Sequence, residues 1–377
     1  MPLRETSVET ERSEFVRVVR SGELTMREAC RRFGVSPTTG YLWVQRAERD
    51  GLAGLQDRSR RPHTSPGRTA ADLEEQVCAV RLAHPRWGGR KIHHVLRHAG
   101  VAGVPPPSTC SSILHRHGLI APAERAQHAW ERFEHPTPNL LRQMDFKGHV
   151  AAGTGRCHPL TILDDHSRFN ICLAACADER TETVQEQLRA AYRRYGLPDA
   201  MLMDNGAPWG SDAQHPHTRL TTWMMRRGIV IVHGQPYHPQ TQGKEERFHR
   251  TLKAEVLTAR PQWHSHDELQ RAFDAWRPVY NYQRPHEGIG MAVPGDRYVP
   301  STRSYQEALP PIDYAPGDIV RKVQDQGRVS FRGRDHRVGR AFVGEPVGLR
   351  PTDEDGVWEV YYCAQRITRI DLREPVG

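Results

Sequence analysis

Hydrophobic positions along the chain change spacing from segment to segment, and the changes mark out its parts. Over residues 10 to 56 the spacing is helical: Met26, Ala29 and Phe33 share one helical face, and Gly34 then ends the helix. Ser36 is a natural N-cap and Pro37 a natural first helical residue, with Tyr41, Trp43 and Val44 following in the next helix. Helix, short glycine turn and capped helix together predict a helix-turn-helix. Thr38, Thr39, Tyr41 and Gln45 are its candidate groove-facing residues. The plainer alternative is an ordinary helical hairpin.

Residues 57 to 70, "DRSRRPHTSPGRTA", carry no apolar period and read as an extended basic linker. Arg58, Arg60 and Arg61 suit a minor groove, as basic arms do, or simply solvent. Helical spacing returns over 71 to 120, through Val77, Val80, Leu82, Trp87, Ile92, Val95 and Leu96. "PPPSTCSSILHRHGLI" then repeats the order of turn, Ser or Thr cap, and helix, which predicts a second helix-turn-helix or a winged helix. Residues 121 to 138 form a second polar, proline-containing linker.

From 139 the pattern alternates between strands and helices. "LLRQMDFKGHV" and "HPLTILDDHSRFNICLAACA" give three strands, and "TVQEQLRAAYRRYG" an amphipathic helix. "DAMLMDN" is a short buried strand, "TRLTTWMMRRG" a helix and "IVIVHGQP" another strand. Helices over "HPQTQGKEERFHRTLK" and "ELQRAFDAWRPVYNYQRPHEG" follow. Three antiparallel strands followed by alternating helices and strands describe an α/β ribonuclease H-like domain. The tail, 314 to 373, has the short strands "DIVRKV", "RVSFRG", "AFVGEPVGLRP" and "WEVYYC", which predict a small β-barrel.

Charge sharpens this picture. The chain of 377 residues carries a formal charge of +8, with arginine outnumbering lysine. Arginine forks suit phosphate, so a polyanionic partner fits. Seven cysteines without a CxxC pair read as reduced thiols. His93, His94, His98 and Cys110 match no standard zinc spacing. No apolar run approaches a membrane span and the N-terminus has no signal-peptide core. The expectation is a cytoplasmic protein without a membrane partner.

Three acids stand out by position. Asp145 sits in the middle of an apolar strand, where a charge must be solvated, paired or metal-bound. Asp204 ends a short strand, where sites in α/β sheets gather. The third is Glu245 or Glu246, on the helix after the last strand. Three such carboxylates can hold two divalent ions for phosphoryl transfer, and magnesium suits the set. With Phe248, Leu252 and Val256 as the apolar face, Glu245 falls near that face and Glu246 at its margin. Periodicity favours Glu245, whereas a place at the rim of the core favours Glu246. Asp164 and Asp165 read as hairpin-turn residues; Asn205 and His238 are site neighbours at most.

"QMDF", "MDNGAPW" and "HPQTQGKEERFHRTLK" resemble the DDE triad of retroviral integrases and integrase-core insertion-sequence transposases, and residues 280 to 298 resemble the closing segment of the bacterial enzymes. In that pattern the glutamate lies two residues before one apolar position and six before the next, which selects Glu246 beside Phe248 and Leu252. The resemblance then implies Asp145, Asp204 and Glu246 as catalytic and metal-binding residues, with Glu245 capping or solvating the first turn. It implies two Mg²⁺ per site, with Mn²⁺ able to substitute. It also implies DNA contacts for Gln242, Arg250 and Lys253, and a homo-oligomer on double-stranded DNA ends in the bacterial cytosol or nucleoid.

The expected layout is a helix-turn-helix over 1–56, a basic linker over 57–70, a second helix-turn-helix or winged helix over 71–120, and a linker over 121–138. A ribonuclease H-like catalytic core over 139–298 and a small β-barrel over 314–373 follow. The expected activity is that of a transposase: binding an element's terminal repeats, Mg²⁺-dependent phosphodiester hydrolysis and 3′-OH strand transfer. The alternatives are a catalytically inactive integrase-fold DNA-binding regulator and a nuclease without strand transfer. The full set of carboxylates speaks against the first, and the two end-binding units against the second.

Overall fold

The computed structural model describes residues 8–57, 67–120, 134–210, 216–234 and 243–373. The chain divides into two compact units, Met1–Arg68 and Thr69–Gly377.

In the first unit, α1 (Val8–Arg20), α2 (Met26–Arg32) and α3 (Pro37–Asp50) pack around Phe15, which meets Phe33 and Trp43 edge-on at 5.5 and 5.4 Å. Thr25 and Glu28 form a capping box at α2, with Glu28 accepting the Thr25 amide at 2.9 Å. Gly34 takes φ +64° just past α2, a left-handed conformation that favours glycine. Ser36 caps α3 by accepting the Thr39 amide at 3.2 Å, and Pro37 opens the helix, as expected. A Cβ at Gly40 would stand 2.8 Å from both Phe15 Cζ and Cys30 Sγ. The close seat of α3 on its neighbours depends on that missing side chain.

The second unit begins with α4 (Ala71–Ala83), α5 (Gly89–His98) and α6 (Pro107–Arg116), closed over Val77, Trp87, Ile92, Leu96, Cys110, Ile113 and Leu114. Two expectations are corrected here. Residues 71–120 contain no strand, so the wing of a winged helix does not form. The N-cap of α6 is Pro106, without a side-chain cap bond; Ser108 and Thr109 lie inside the helix. Glu74 on α4 is buried and bound by Arg116 and by His117 at 3.0 Å, which ties α4 to the end of α6.

The α/β part comprises β1 (Leu141–Phe146), β2 (Val150–Ala152), β3 (Gly155–Asp164), β4 (Asn170–Cys176), α7 (Thr181–Tyr195), β5 (Ala200–Met203), α8 (Arg219–Met225), β6 (Val230–His233), α9 (Gly243–Leu252), α10 (His266–Tyr282) and α11 (Pro294–Arg297). Strand β3 pairs antiparallel with β1, β2 and β4, while β5 is parallel to β1 and β6 parallel to β5. The result is a mixed sheet with helices on both faces. Strand alternation assigns the faces. Met144, Leu160 and Ile162 pack with Val184 and Leu188 of α7 and with Met224 of α8. Leu163 and Leu173 pack with Phe248 and Leu252 of α9 and with Phe273 of α10. Asp145 and its cross-strand partner Thr161 therefore share the α9 side of the sheet.

Asp164 and Asp165 do turn work. Asp164 accepts the Ser167 amide at 2.8 Å and the Asn139 amide at 2.7 Å. Asp165 accepts the His135 amide at 2.9 Å and Gln143 Nε2 at 2.7 Å, and pairs with Lys244 at the start of α9.

The tail departs from the expected barrel. It contains β7 (Ile319–Lys322), β8 (Arg328–Phe331), β9 (Arg334–Arg337), β10 (Pro346–Pro351), β11 (Val357–Tyr362) and β12 (Gln365–Asp371). These form an open four-stranded sheet, β12-β11-β10-β7, and a separate β8–β9 ribbon. No ladder joins β12 to β7. The start of β12 is instead turned to the core sheet: the Gln365 amide donates to Ile231 O and accepts Ile231 N–H, each at 2.9 Å. The ribbon packs on the sheet through Phe331 against Trp358, with centroids 4.9 Å apart.

Candidate active site and DNA-facing surfaces

Asp145 and Asp204 come together through strand register. The β1–β5 ladder pairs Leu141 with Ala200, Arg142 with Met201 and Gln143 with Leu202. Carried two residues further, it sets Asp145 level with Asp204. Paired residues of neighbouring strands point to the same face. Asp145 is pushed up to about 7, first by burial and then by the charge of Asp204. Asp204 is exposed and fixed by its own loop: its Oδ1 accepts the Gly206 amide at 2.9 Å and the Trp209 indole N–H. Trp209 is buried and stacks on Phe146 at 5.3 Å, which links this loop to the end of β1.

Helix α9 covers Asp145 from the side. Glu245 is 1% exposed, and its Oε2 lies 3.0 Å from Thr161 Oγ1. Burial raises its carboxyl well above the usual range, and Asp145 adds to the rise. His249, one turn on, places Nε2 2.8 Å from Thr161 Oγ1 and Nδ1 3.8 Å from Asp145 Oδ2. Burial pushes His249 down to about 3, so its ring is neutral. This corrects the expectation that Glu245 caps or solvates the first turn. The 100° helical step turns it inward with Phe248, His249 and Leu252, as periodicity indicated. Glu246 is exposed, as are Arg250 and Lys253, and the three positions are spaced to share one outer face of the helix.

Asp145 and Asp204 are thus neighbours, and Glu246 lies on the outer face of α9 next to Glu245. Among the described residues no three acidic, histidine or cysteine side chains converge as a cage for a metal ion. His93 Nδ1 and Cys110 Sγ both bond Pro105 O, at 2.9 and 3.2 Å. Gln242 and His238 lie outside the described residues, as do Arg58, Arg60 and Arg61.

On α3, Thr38, Tyr41 and Gln45 are exposed. Thr39 is half-buried, with its hydroxyl 2.9 Å from that of Ser36, so it serves the cap. The sequence reading missed Thr161, His249 and Trp209. His249 was accessible to it, four residues after Glu245 on the same face; the other two depend on pairing across the sheet and loop.

Family models match most segments of the chain. Models of an integrase core domain match residues 135–239 and 227–294, and the C-terminal domain of IS481 family transposases matches 318–375. A helix-turn-helix domain matches 11–63 and a homeodomain-like domain 39–114. The chain is 26% identical over 280 residues to an uncharacterized 39.2 kDa protein of insertion element IS476 from Xanthomonas euvesicatoria, covering 71% of this chain and 75% of that one. It is also 26% identical over 239 residues to an uncharacterized 31.7 kDa protein of insertion element IS407 from Burkholderia multivorans, covering 60% and 82%. Among solved structures, the HTLV-2 integrase catalytic core in complex with magnesium aligns with a TM-score of 0.33 and 14% identity, over 43% of this chain and 97% of that one. The matched segments and relatives make the chain similar to the integrase-core transposases of bacterial insertion sequences. Its domains are those of a DNA-acting enzyme of the polynucleotidyl transferase class. Among the described residues no helix is long and apolar enough to cross a membrane.

Proposed function

We propose that the chain is a DDE-type transposase that binds the terminal repeats of its element, nicks a phosphodiester there and joins the freed 3′-OH to target DNA. The reading is supported by one observation above all: the parallel β1–β5 ladder, Leu141 to Gln143 against Ala200 to Leu202, runs towards Asp145 on one strand and Asp204 just past the other. Glu246, on the exposed side of α9, completes the triad.

The donor set fits divalent cations. Asp145 is held up at about 7 with Asp204 beside it, and among the described residues neither acid is paired with a lysine or arginine. Such a pair gains from a bound cation. Asp145, Asp204 and Glu246 would hold two Mg²⁺ or Mn²⁺. Bound there, the ions would supply charge neutralisation and polarisation for in-line phosphoryl transfer.

The remaining residues do their own parts. Trp209 and Gly206 fix Asp204 through Oδ1. Arg250 and Lys253 extend from Glu246 along the outer face of α9 and would meet backbone phosphates of the DNA end. Gln242, just before this helix, would touch the same end. Thr38, Tyr41 and Gln45 would face a groove, with Arg58, Arg60 and Arg61 tracking the adjoining strand. A homo-oligomer on paired ends would bring two sites to the two strands.

Purified full-length protein, labelled element-end DNA and Mg²⁺ test the reading directly. Nicked and joined products are expected, both lost in Asp145→Asn while end binding persists. Nicking and joining by Asp145→Asn at the wild-type rate would overturn it.

A further inference from the structure

The site contains a polar chain that the triad does not use: Glu245, Thr161 and His249, all on the α9 side of the sheet and all buried. Thr161 Oγ1 is the junction. It lies 3.0 Å from Glu245 Oε2, 2.8 Å from His249 Nε2 and 3.0 Å from the Asp145 carbonyl oxygen. Nε2 of His249 is committed to Thr161, and Nδ1 faces Asp145 Oδ2 at 3.8 Å. Facing a carboxylate, Nδ1 carries the ring proton and Nε2 accepts the single proton of the Thr161 hydroxyl, so Thr161 Oγ1 meets Glu245 as an acceptor and makes no hydrogen bond to the Asp145 carbonyl. The 3.8 Å separation is longer than a finished hydrogen bond, and contacts of this kind tighten when a site is loaded.

We propose that His249 is a positioning residue for Asp145: Thr161 and Glu245 hold its ring from behind, and its Nδ1–H fixes the orientation in which the Asp145 carboxylate takes up a divalent cation. The inference rests on the metal-site reading above. A free carboxylate on a strand has a full χ2 sweep, and an ordered donor on one oxygen leaves the other aimed outward. Donors placed behind ligating carboxylates act this way, and their loss weakens metal binding about 10- to 100-fold. His249 is not a general base here, because its ring is buried, with Nε2 held by Thr161 and Nδ1 turned to Asp145.

The test uses the full-length protein and Mn²⁺ alone, with the dissociation constant read by titration calorimetry and folding checked by Tm. Asn places its amide nitrogen where the imidazole has Nδ1; Gln places one nearer Nε2. His249→Ala is expected to weaken Mn²⁺ binding about 10- to 100-fold. His249→Asn should recover most of that loss, and His249→Gln should not. Thr161→Val, which keeps shape and removes the hydroxyl, should weaken binding, with Thr161→Ser restoring it. Should His249→Ala fail to fold, the Asn and Gln pair decides alone. Equal Mn²⁺ affinity in His249→Asn and His249→Gln overturns the proposal. If Asp145→Asn also binds Mn²⁺ as tightly as wild type, the metal-site reading itself has failed. If Asp145→Asn loses the ion while His249→Ala keeps it, only the role of His249 is refuted.

Discussion

Asp145, near the end of β1, and Asp204, just past the end of the parallel strand β5, lie close together, and the charge of Asp204 is part of what lifts Asp145 to about 7. The sign of the stability effect follows. An unfolded aspartate titrates near 3.8, so between pH 3.8 and 7 the folded state binds more protons than the unfolded one. The stabilising contribution is complete below pH 3.8 and is lost as pH rises to 7. Metal-free protein should therefore lose stability over that window, by at most about 4 kcal/mol for a gap of roughly three pKa units. Asp145→Asn should flatten this part of the profile and raise the metal-free Tm at pH 7. Thermal melts across pH in EDTA measure it. An unchanged profile in the variant would show that Asp145 is not the titrating group.

The adjacent glutamates give an opposed pair of outcomes. Glu246→Gln removes a charge from an exposed position, so Tm should hardly move while nicking and joining fall by roughly 10³-fold or more. Glu245 is buried with its carboxyl raised, which favours the protonated form, and Gln is close to the isostere of that form. Glu245→Gln should keep most activity. Glu245→Ala should cost about 1 to 3 kcal/mol of stability by leaving Thr161 and His249 short of a partner. Rates on uncleaved ends, with melts of the same samples, separate the cases. A dead Glu245→Gln beside an active Glu246→Gln would reverse the assignment.

Local chemistry was legible in the sequence; distant pairing was not. Ser36, Pro37 and Gly34 announce the start of one helix and the end of another through their own backbone preferences, and each does that job. The inward turn of Glu245 followed from the 100° step. Its partner Thr161 sits 84 residues earlier in the chain, and no periodicity connects the two. Arg142 makes the same point. It is a fully buried charge three residues before Asp145, yet it is satisfied by the Gly196 carbonyl at 2.9 Å and the Asn139 side chain at 2.7 Å, outside any metal site. The sequence rule that a charge in an apolar strand needs a partner holds for both residues and cannot say which partner. The open tail sheet has a similar cause: closure depends on whether β12 meets β7, and Gln365 turns β12 to β6 instead.

Gly40 tests the first unit. A methyl group at this position would come within 2.8 Å of Phe15 Cζ and Cys30 Sγ and 3.1 Å of Met26 Sδ. Overpacking of a tight helical core costs about 1 to 3 kcal/mol. Gly40→Ala should lower the melting temperature of this unit and weaken element-end binding. Tyr41→Ala changes an exposed side chain on the same helix, so it should weaken end binding with no change in Tm. Gel-shift titrations and melts on the two variants make the comparison. If Tyr41→Ala leaves end binding intact, the exposed side of α3 is not the reading face.

Lys244 anchors the start of α9 by pairing with Asp165, which is 1% exposed and also bound by the His135 amide and Gln143 Nε2. Desolvation raises the carboxyl of Asp165, but Lys244 and its hydrogen bonds win and hold it below the usual range. Removing the lysine leaves a buried carboxylate without its cation, which typically costs about 3 to 5 kcal/mol. Lys244→Met keeps the apolar stem and loses the charge. It should lower Tm sharply at pH 7 and less at pH 4, where Asp165 can take up a proton. Because the pair fixes the residue just before Glu245 and Glu246, strand joining should fall further than stability alone predicts when assayed well below the variant's Tm. Equal losses of Tm at both pH values would mean that the charge of Asp165 is satisfied without Lys244, and the anchor would then be a matter of packing.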